Sequence, residues 1–162
     1  MISSNKAFRI GSATLRIALG VIFLYAAWTK LRVPWQLFAA AIDDYKIAPE
    51  WSLEPLARTL PWLEAGLGVL LIVGRWLTRS AATAVSALLL VFVILMARAY
   101  AAGLKISCGC FGPGEMISWR TFLRDGSLLV MSLAVMWLSF TKRRKVKRAT
   151  LEDVTANSGP RP

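Results

Sequence analysis

Residues 81–104 read AATAVSALLLVFVILMARAYAAGL, an apolar run whose one charge, Arg98, lies near its far end. A helix needs about 20 such residues to cross a hydrocarbon layer of about 30 Å, and this run exceeds that. A helix that is apolar on every side is not the surface helix of a soluble domain. Three further apolar blocks flank it, at about Ile10–Leu31, about Pro55–Leu77 and Trp119–Phe140. In lipid every backbone polar group must be satisfied within its own segment, so each block predicts a helix. The fold expected is all-α, an integral membrane bundle of four transmembrane helices. Composition agrees: 162 residues suit one domain, and 56% are hydrophobic with a mean hydropathy of +0.53.

The organisation expected is a short N-terminus (1–9), the four-helix domain (10–140) and a basic, disordered tail (141–162). A signal peptide is the rival reading of the first block. That block is longer than a usual apolar signal core and no small-x-small cleavage site directly follows it, so a retained helix is preferred. Residues 33–54, with Pro34, Asp43, Asp44, Tyr45 and Pro49, read as a polar connection. The second block is the weakest, since it holds Pro61 and Glu64. Thr78 and Ser80 are candidate caps for the third helix and Ser118 for the fourth. Between those helices the loop 105–118 carries Gly112-Pro113-Gly114, which argues against regular structure there.

The net charge of +11 raises nucleic acid as a partner. Much of the excess is the run Lys142-Arg143-Arg144-Lys145-Val146-Lys147-Arg148, directly after the fourth block. Such juxtamembrane runs stay in the cytoplasm and lean on anionic lipid, so the expected partner is the bilayer and not nucleic acid. Lys6, Arg9, Arg75, Arg79 and seven tail residues lie on one side, eleven in all. Lys30, Arg32, Lys46, Arg58, Lys105 and Arg120 make six on the other. The positive-inside rule puts both termini in the cytoplasm and the 105–118 loop outside.

Histidine is absent, and the two cysteines, Cys108 and Cys110, cannot build a four-thiolate zinc site. Their Cys-Gly-Cys spacing, in an oxidising compartment, allows a disulfide. Closing so small a ring stabilises by only about 1.6 kcal/mol on chain entropy, about half the value for a 15-residue loop. A tight ring is readily reduced, which suits exchange more than stapling. Gly109 lets the backbone bend, and Lys105 and Arg120 would favour a thiolate. Phe111 and Gly112 would face a partner. A static staple stays open as an alternative. So does a soft-metal (copper) transfer site, with Met116 as an added ligand.

Charged residues at membrane depth imply partners or a polar recess. Lys30, Glu64, Arg98, Arg124 and Asp125 fall at the level of the thiol loop, predicting Glu64 with Arg98 and Asp125 with Arg124 or Lys30. Arg16, at the other end, reads as a snorkelling side chain. Trp28, Trp35, Trp51, Trp62 and Trp119 suit an interfacial aromatic belt. A quinone is the one cofactor such a face would suit, and no motif supports it.

These residues together resemble the MauE family of methylamine-utilisation membrane proteins, within a larger DoxX-like group. The resemblance rests on Arg16-x-x-Leu19-Gly20 and Lys30, Tyr45, and Leu60-Pro61-x-Leu63-Glu64-x-Gly66. It continues through Cys108-Gly-Cys-Phe-Gly112 to Arg124-Asp125, covering about residues 10–140. It implies a bacterial inner-membrane protein with a redox-associated role, working beside a periplasmic thioredoxin-like protein. The implied clients are disulfide-containing periplasmic enzymes of the methylamine dehydrogenase type. The activity then expected is thiol–disulfide oxidoreduction; a non-catalytic assembly scaffold is the alternative.

Overall fold

The computed structural model describes residues 2–74, 77–104, 106–109, 112–116 and 118–157, with side chains over 10–74, 77–104, 106–109 and 118–139. Four helices are long and apolar enough to cross a membrane. They are α1 (Ile2–Leu31, apolar from Ile10), α3 (Glu50–Val73), α4 (Thr78–Ala101) and α5 (Trp119–Asn157, apolar to Ser139). At 1.5 Å per residue, the 24 residues of α3 or α4 reach about 36 Å, enough to span with some tilt. Apolar residues face outward as well as inward, as lipid requires: Ile94 is 55% exposed and Val130 68%. The all-α membrane bundle expected from the sequence is the fold.

The helices pack chiefly as two pairs, α1 on α3 and α4 on α5. Gly20 and Gly68 bring α1 and α3 into backbone contact, for a Cβ on either would lie 2.8 Å from the other's carbonyl oxygen. Without a hydrophobic drive between helices in lipid, close approach of small residues supplies the association. In the second pair Ser86 and Ser132 hydroxyls meet at 3.0 Å, and Arg79 donates to the Ser139 carbonyl at 3.1 Å. Leu19, Phe23, Leu71, Val85, Leu89, Leu128 and Val135 fill the centre between the pairs.

Several boundaries differ from expectation. α3 begins at Glu50 behind Pro49 and stops at Gly74, whose left-handed φ of 62° ends it short of Leu77. Pro61 therefore lies well inside α3. Arg16 is no snorkeller: its Nη1 donates to the Gly74 carbonyl at 3.1 Å, covering the C-terminus of α3. α4 has Leu77 at its N-cap, so neither Thr78 nor Ser80 occupies that position. Ser118 does cap α5, accepting from the Thr121 N–H at 3.4 Å.

The connection 33–54 contains a helix, α2 (Trp35–Asp43). Trp35, Phe38, Ala39 and Ile42 recur at helical spacing and pack on Leu53, Ala57 and Leu60 of α3. The 105–118 loop contains a hairpin, β1 (Ser107–Gly109) with β2 (Gly112–Met116), paired Ser107 to Met116 and Gly109 to Gly112. Pro113 is tolerated because an edge strand needs only half its donors. The tail is not disordered through its whole length, since α5 continues to Asn157. Its Lys, Arg, Ala, Leu and Glu residues are good helix formers, and no Gly or Pro interrupts them before Gly159.

Candidate functional site: a buried thiol above paired charges

Lys30 ends α1, Glu64 lies midway along α3, and the close α1–α3 packing brings them together. Lys30 Nζ sits 2.5 Å from Glu64 Oε1 and 2.7 Å from Oε2, and the two side chains are 1% and 4% exposed. The ammonium also faces the rings of Phe38 at 5.4 Å and Phe92 at 5.8 Å, a favourable place for a desolvated cation. Glu64 thus pairs with Lys30 and not with Arg98. Arg98 is exposed on α4 beside a second cavity of about 160 Å³ bordered by Tyr45, Lys46 and Leu104.

On α5, Asp125 is 2% exposed and accepts from Arg124 Nε at 3.0 Å through Oδ1. Its other oxygen, Oδ2, lies 3.6 Å from Cys108 Sγ, which is also 3.2 Å from Met96 Sδ on α4. Cys108 is 1% exposed. It is therefore an interior thiol, not the surface thiol that a glycine-rich loop leads one to expect. A small cavity of about 30 Å³ is bordered by both Glu64 and Asp125, so the two carboxylates share one recess.

The hairpin is held by Tyr45, whose hydroxyl donates to the Cys108 carbonyl at 3.0 Å. Tyr45 is aimed by a tight turn after α2, in which Lys46 adopts a left-handed φ of 50° and bonds to the Asp43 carbonyl at 2.7 Å. The hydrogen bond from the Lys46 ammonium to the Asp43 carboxylate holds the lysine above its ordinary range. Gly109, at φ 70°, provides the bend after Cys108 that an L-residue rarely adopts. A methyl there would meet Phe38 and Ala41 only at ordinary contact distance, so conformation and not space selects glycine.

The structure therefore gathers Cys108, Lys30, Glu64, Arg124 and Asp125 at one end of the bundle. It leaves Arg98 apart, and Arg120 is exposed on α5. Gly112 pairs with Gly109 in the hairpin. Cys110, Phe111 and Lys105 lie outside the described residues. Met96 carried no signal in the sequence, being one more apolar residue in an apolar block. Among the described residues, no three His, Cys, Asp or Glu side chains gather as a metal site would require. At the same end Trp28, Trp51, Trp62 and Trp119 are all more than half exposed, as a belt requires.

A family model described as methylamine utilisation protein MauE matches residues 9–138. A methylamine utilization protein MauE from Paracoccus denitrificans is 36% identical over 124 residues, 75% of this chain and 66% of that protein. Its counterpart in Methylorubrum extorquens is 31% identical over 141 residues, 85% of this chain and 75% of that protein. A third, from Methylophilus methylotrophus, is 35% identical over 127 residues, 76% of this chain and 65% of its own length. The matches thus leave a quarter to a third of each relative outside them. No solved structure matches the chain. With four apolar helices and a family match across nearly all of them, the chain belongs to the MauE family of methylamine utilisation membrane proteins.

Proposed function

We propose that this protein exchanges disulfides through Cys108 and Cys110 with a thioredoxin-like partner outside the bacterial inner membrane. The exchange would serve maturation of disulfide-containing enzymes such as a methylamine dehydrogenase. The eleven-to-six basic asymmetry favours both termini in the cytoplasm and the hairpin in the periplasm. The observation that carries the reading is the burial of Cys108 beside a carboxylate on a hairpin anchored by Tyr45. A cysteine only two residues from its pair gains little stability from a bond, which favours exchange over stapling as the use of the pair.

That burial favours one division of roles within the proposed exchange. A macromolecular thiol cannot reach a sulfur that is 1% exposed, so the partner attacks, or is attacked by, Cys110, and Cys108 resolves the adduct. Cys108→Ser should therefore accumulate a covalent adduct that reductant releases, with a partner carrying its own Cys-x-x-Cys pair. Cys110→Ser should not accumulate it. Adducts on Cys110→Ser alone would reverse the roles. With adducts on neither single variant and full client maturation in the double variant, exchange is not the function.

Met96 favours one other reading, a soft-metal site on its thioether and the Cys108 thiolate. Metal–sulfur bonds of about 2.3 Å would, across a 3.2 Å sulfur separation, close to an angle near 90°, well below tetrahedral. Metal transfer therefore needs the two sulfurs to move apart. Copper(I) retained by wild type and lost in Met96→Leu would support it.

A further inference from the structure

We propose that Asp125 accepts the proton of Cys108 when that sulfur attacks, a role that rests on the exchange reading. The carboxylate divides its two oxygens: Oδ1 is held by Arg124 Nε at 3.0 Å, and Oδ2 faces Cys108 Sγ at 3.6 Å. Both groups are almost wholly buried, at 2% and 1% exposure, so bulk water does not reach the sulfur to take the proton. Among the described residues, the charged and polar groups near them can be named. α5 contributes Arg124, α4 the uncharged Met96, and the turn after α2 the Tyr45 hydroxyl, which is engaged with the Cys108 carbonyl. On α1 and α3, Lys30 and Glu64 neutralise each other. Arg98 is exposed to one side on α4 and Arg120 is exposed on α5. Among the described residues, Asp125 is the one carboxylate against the sulfur. A cavity of about 30 Å³ bordered by Asp125 and Glu64 has room for about one water molecule beside the carboxylate.

The step begins with the partner joined to Cys110 by a mixed disulfide. The Cys108 S–H bond breaks and its proton passes to Asp125 Oδ2. The sulfur bonds to the Cys110 sulfur, the bond from Cys110 to the partner breaks, and the partner's sulfur leaves with the electron pair as a thiolate. The cysteine pair is oxidised by two electrons and the partner's disulfide is reduced by two. In the reverse direction Asp125 returns the proton to the departing Cys108 sulfur.

The test uses purified full-length protein in lipid nanodiscs and an aromatic disulfide, 5,5′-dithiobis(2-nitrobenzoate), as the partner's stand-in. One coloured thiolate is released as Cys110 is loaded, and a second as Cys108 attacks. Asp125→Asn should slow the second release roughly 10- to 100-fold, within the usual reach of general-base catalysis. Asp125→Glu should recover part of the loss. With the carboxylate as base, the wild-type second phase should not follow the ionisation of a free thiol. Without that base, the rate should climb with pH toward the ordinary thiol range, about 8.5.

A carboxylate acting only through its charge would oppose thiolate formation, so its removal would speed the attack. An Asp125→Asn rate equal to or above wild type therefore overturns the proposal. If that variant does not yield a monodisperse helical protein, the wild-type profile decides: a rate that climbs steadily with pH to the thiol range, as attack by a free thiolate would, overturns it. Failure of the exchange reading has a separate signature, a wild-type protein that loads but never gives the second release.

Discussion

Lys30 and Glu64 form a closed unit, in which each charge is tolerated at membrane depth because of the other. Removing one partner strands its mate, which costs about 3–5 kcal/mol for a buried pair, whereas replacing both with apolar residues of similar volume is often close to neutral. Glu64→Ala should therefore lower the thermal midpoint in nanodiscs far more than Glu50→Ala, a change at an exposed position. The double variant Lys30→Met/Glu64→Met should recover most of that loss. Tyr45→Phe removes one hydrogen bond to the Cys108 carbonyl, worth about 0.5–1.5 kcal/mol, and loosens the hairpin. Cys108 should then react several-fold faster with a small alkylating reagent, measured as mass increments over time. At this scale the sequence is informative about depth and silent about azimuth. It places Glu64, Arg98 and Lys30 at one level, but the packing of α1 on α3, close at Gly20 and Gly68, turns Glu64 toward Lys30. Met96 and the burial of Cys108 are beyond its reach for the same reason, as both depend on which helix faces close over the hairpin.

The contact of α1 with α3 depends on glycines that can be told apart. A methyl on Gly68 would lie 2.8 Å from the Gly20 carbonyl oxygen and 3.0 Å from Leu24 Cγ, whereas one on Gly66 meets nothing within 4 Å. Gly68→Ala should thus destabilise by about 1–3 kcal/mol through overpacking. Gly66→Ala should be neutral or stabilising by up to about 1 kcal/mol, since alanine is the better helix former. Thermal unfolding of both variants in the same lipid checks the difference. The four spanning helices were legible because length and apolarity decide them. α2 was not, because Pro34, Asp43, Asp44 and Pro49 outweigh the shorter stripe of Trp35, Phe38, Ala39 and Ile42. The continuation of α5 past Phe140 was obscured by its charge, which argues for solvation but is no bar to helix.

Across the whole molecule, the proposed exchange depends on orientation, because only an oxidising compartment would sustain a disulfide form of the pair. In a Cys108→Ser/Cys110→Ser background, a cysteine at Trp51, which is 81% exposed, should be labelled in intact cells by a membrane-impermeant maleimide. A cysteine at Arg143 should be labelled only after lysis, and the reverse pattern would invert the bundle. The site has also a history in time. Cys108 and Met96 are synthesised before Asp125, and the packing of α5 on α4 waits for Ser132 and Ser139. At about 5–20 residues per second, the 31 residues from Cys108 to Ser139 take roughly 2–6 seconds to emerge. Until that packing is complete the sulfur lacks its final cover, so each newborn chain passes through a moment when its thiol is open to chance oxidants, and the docking of the last helix ends it.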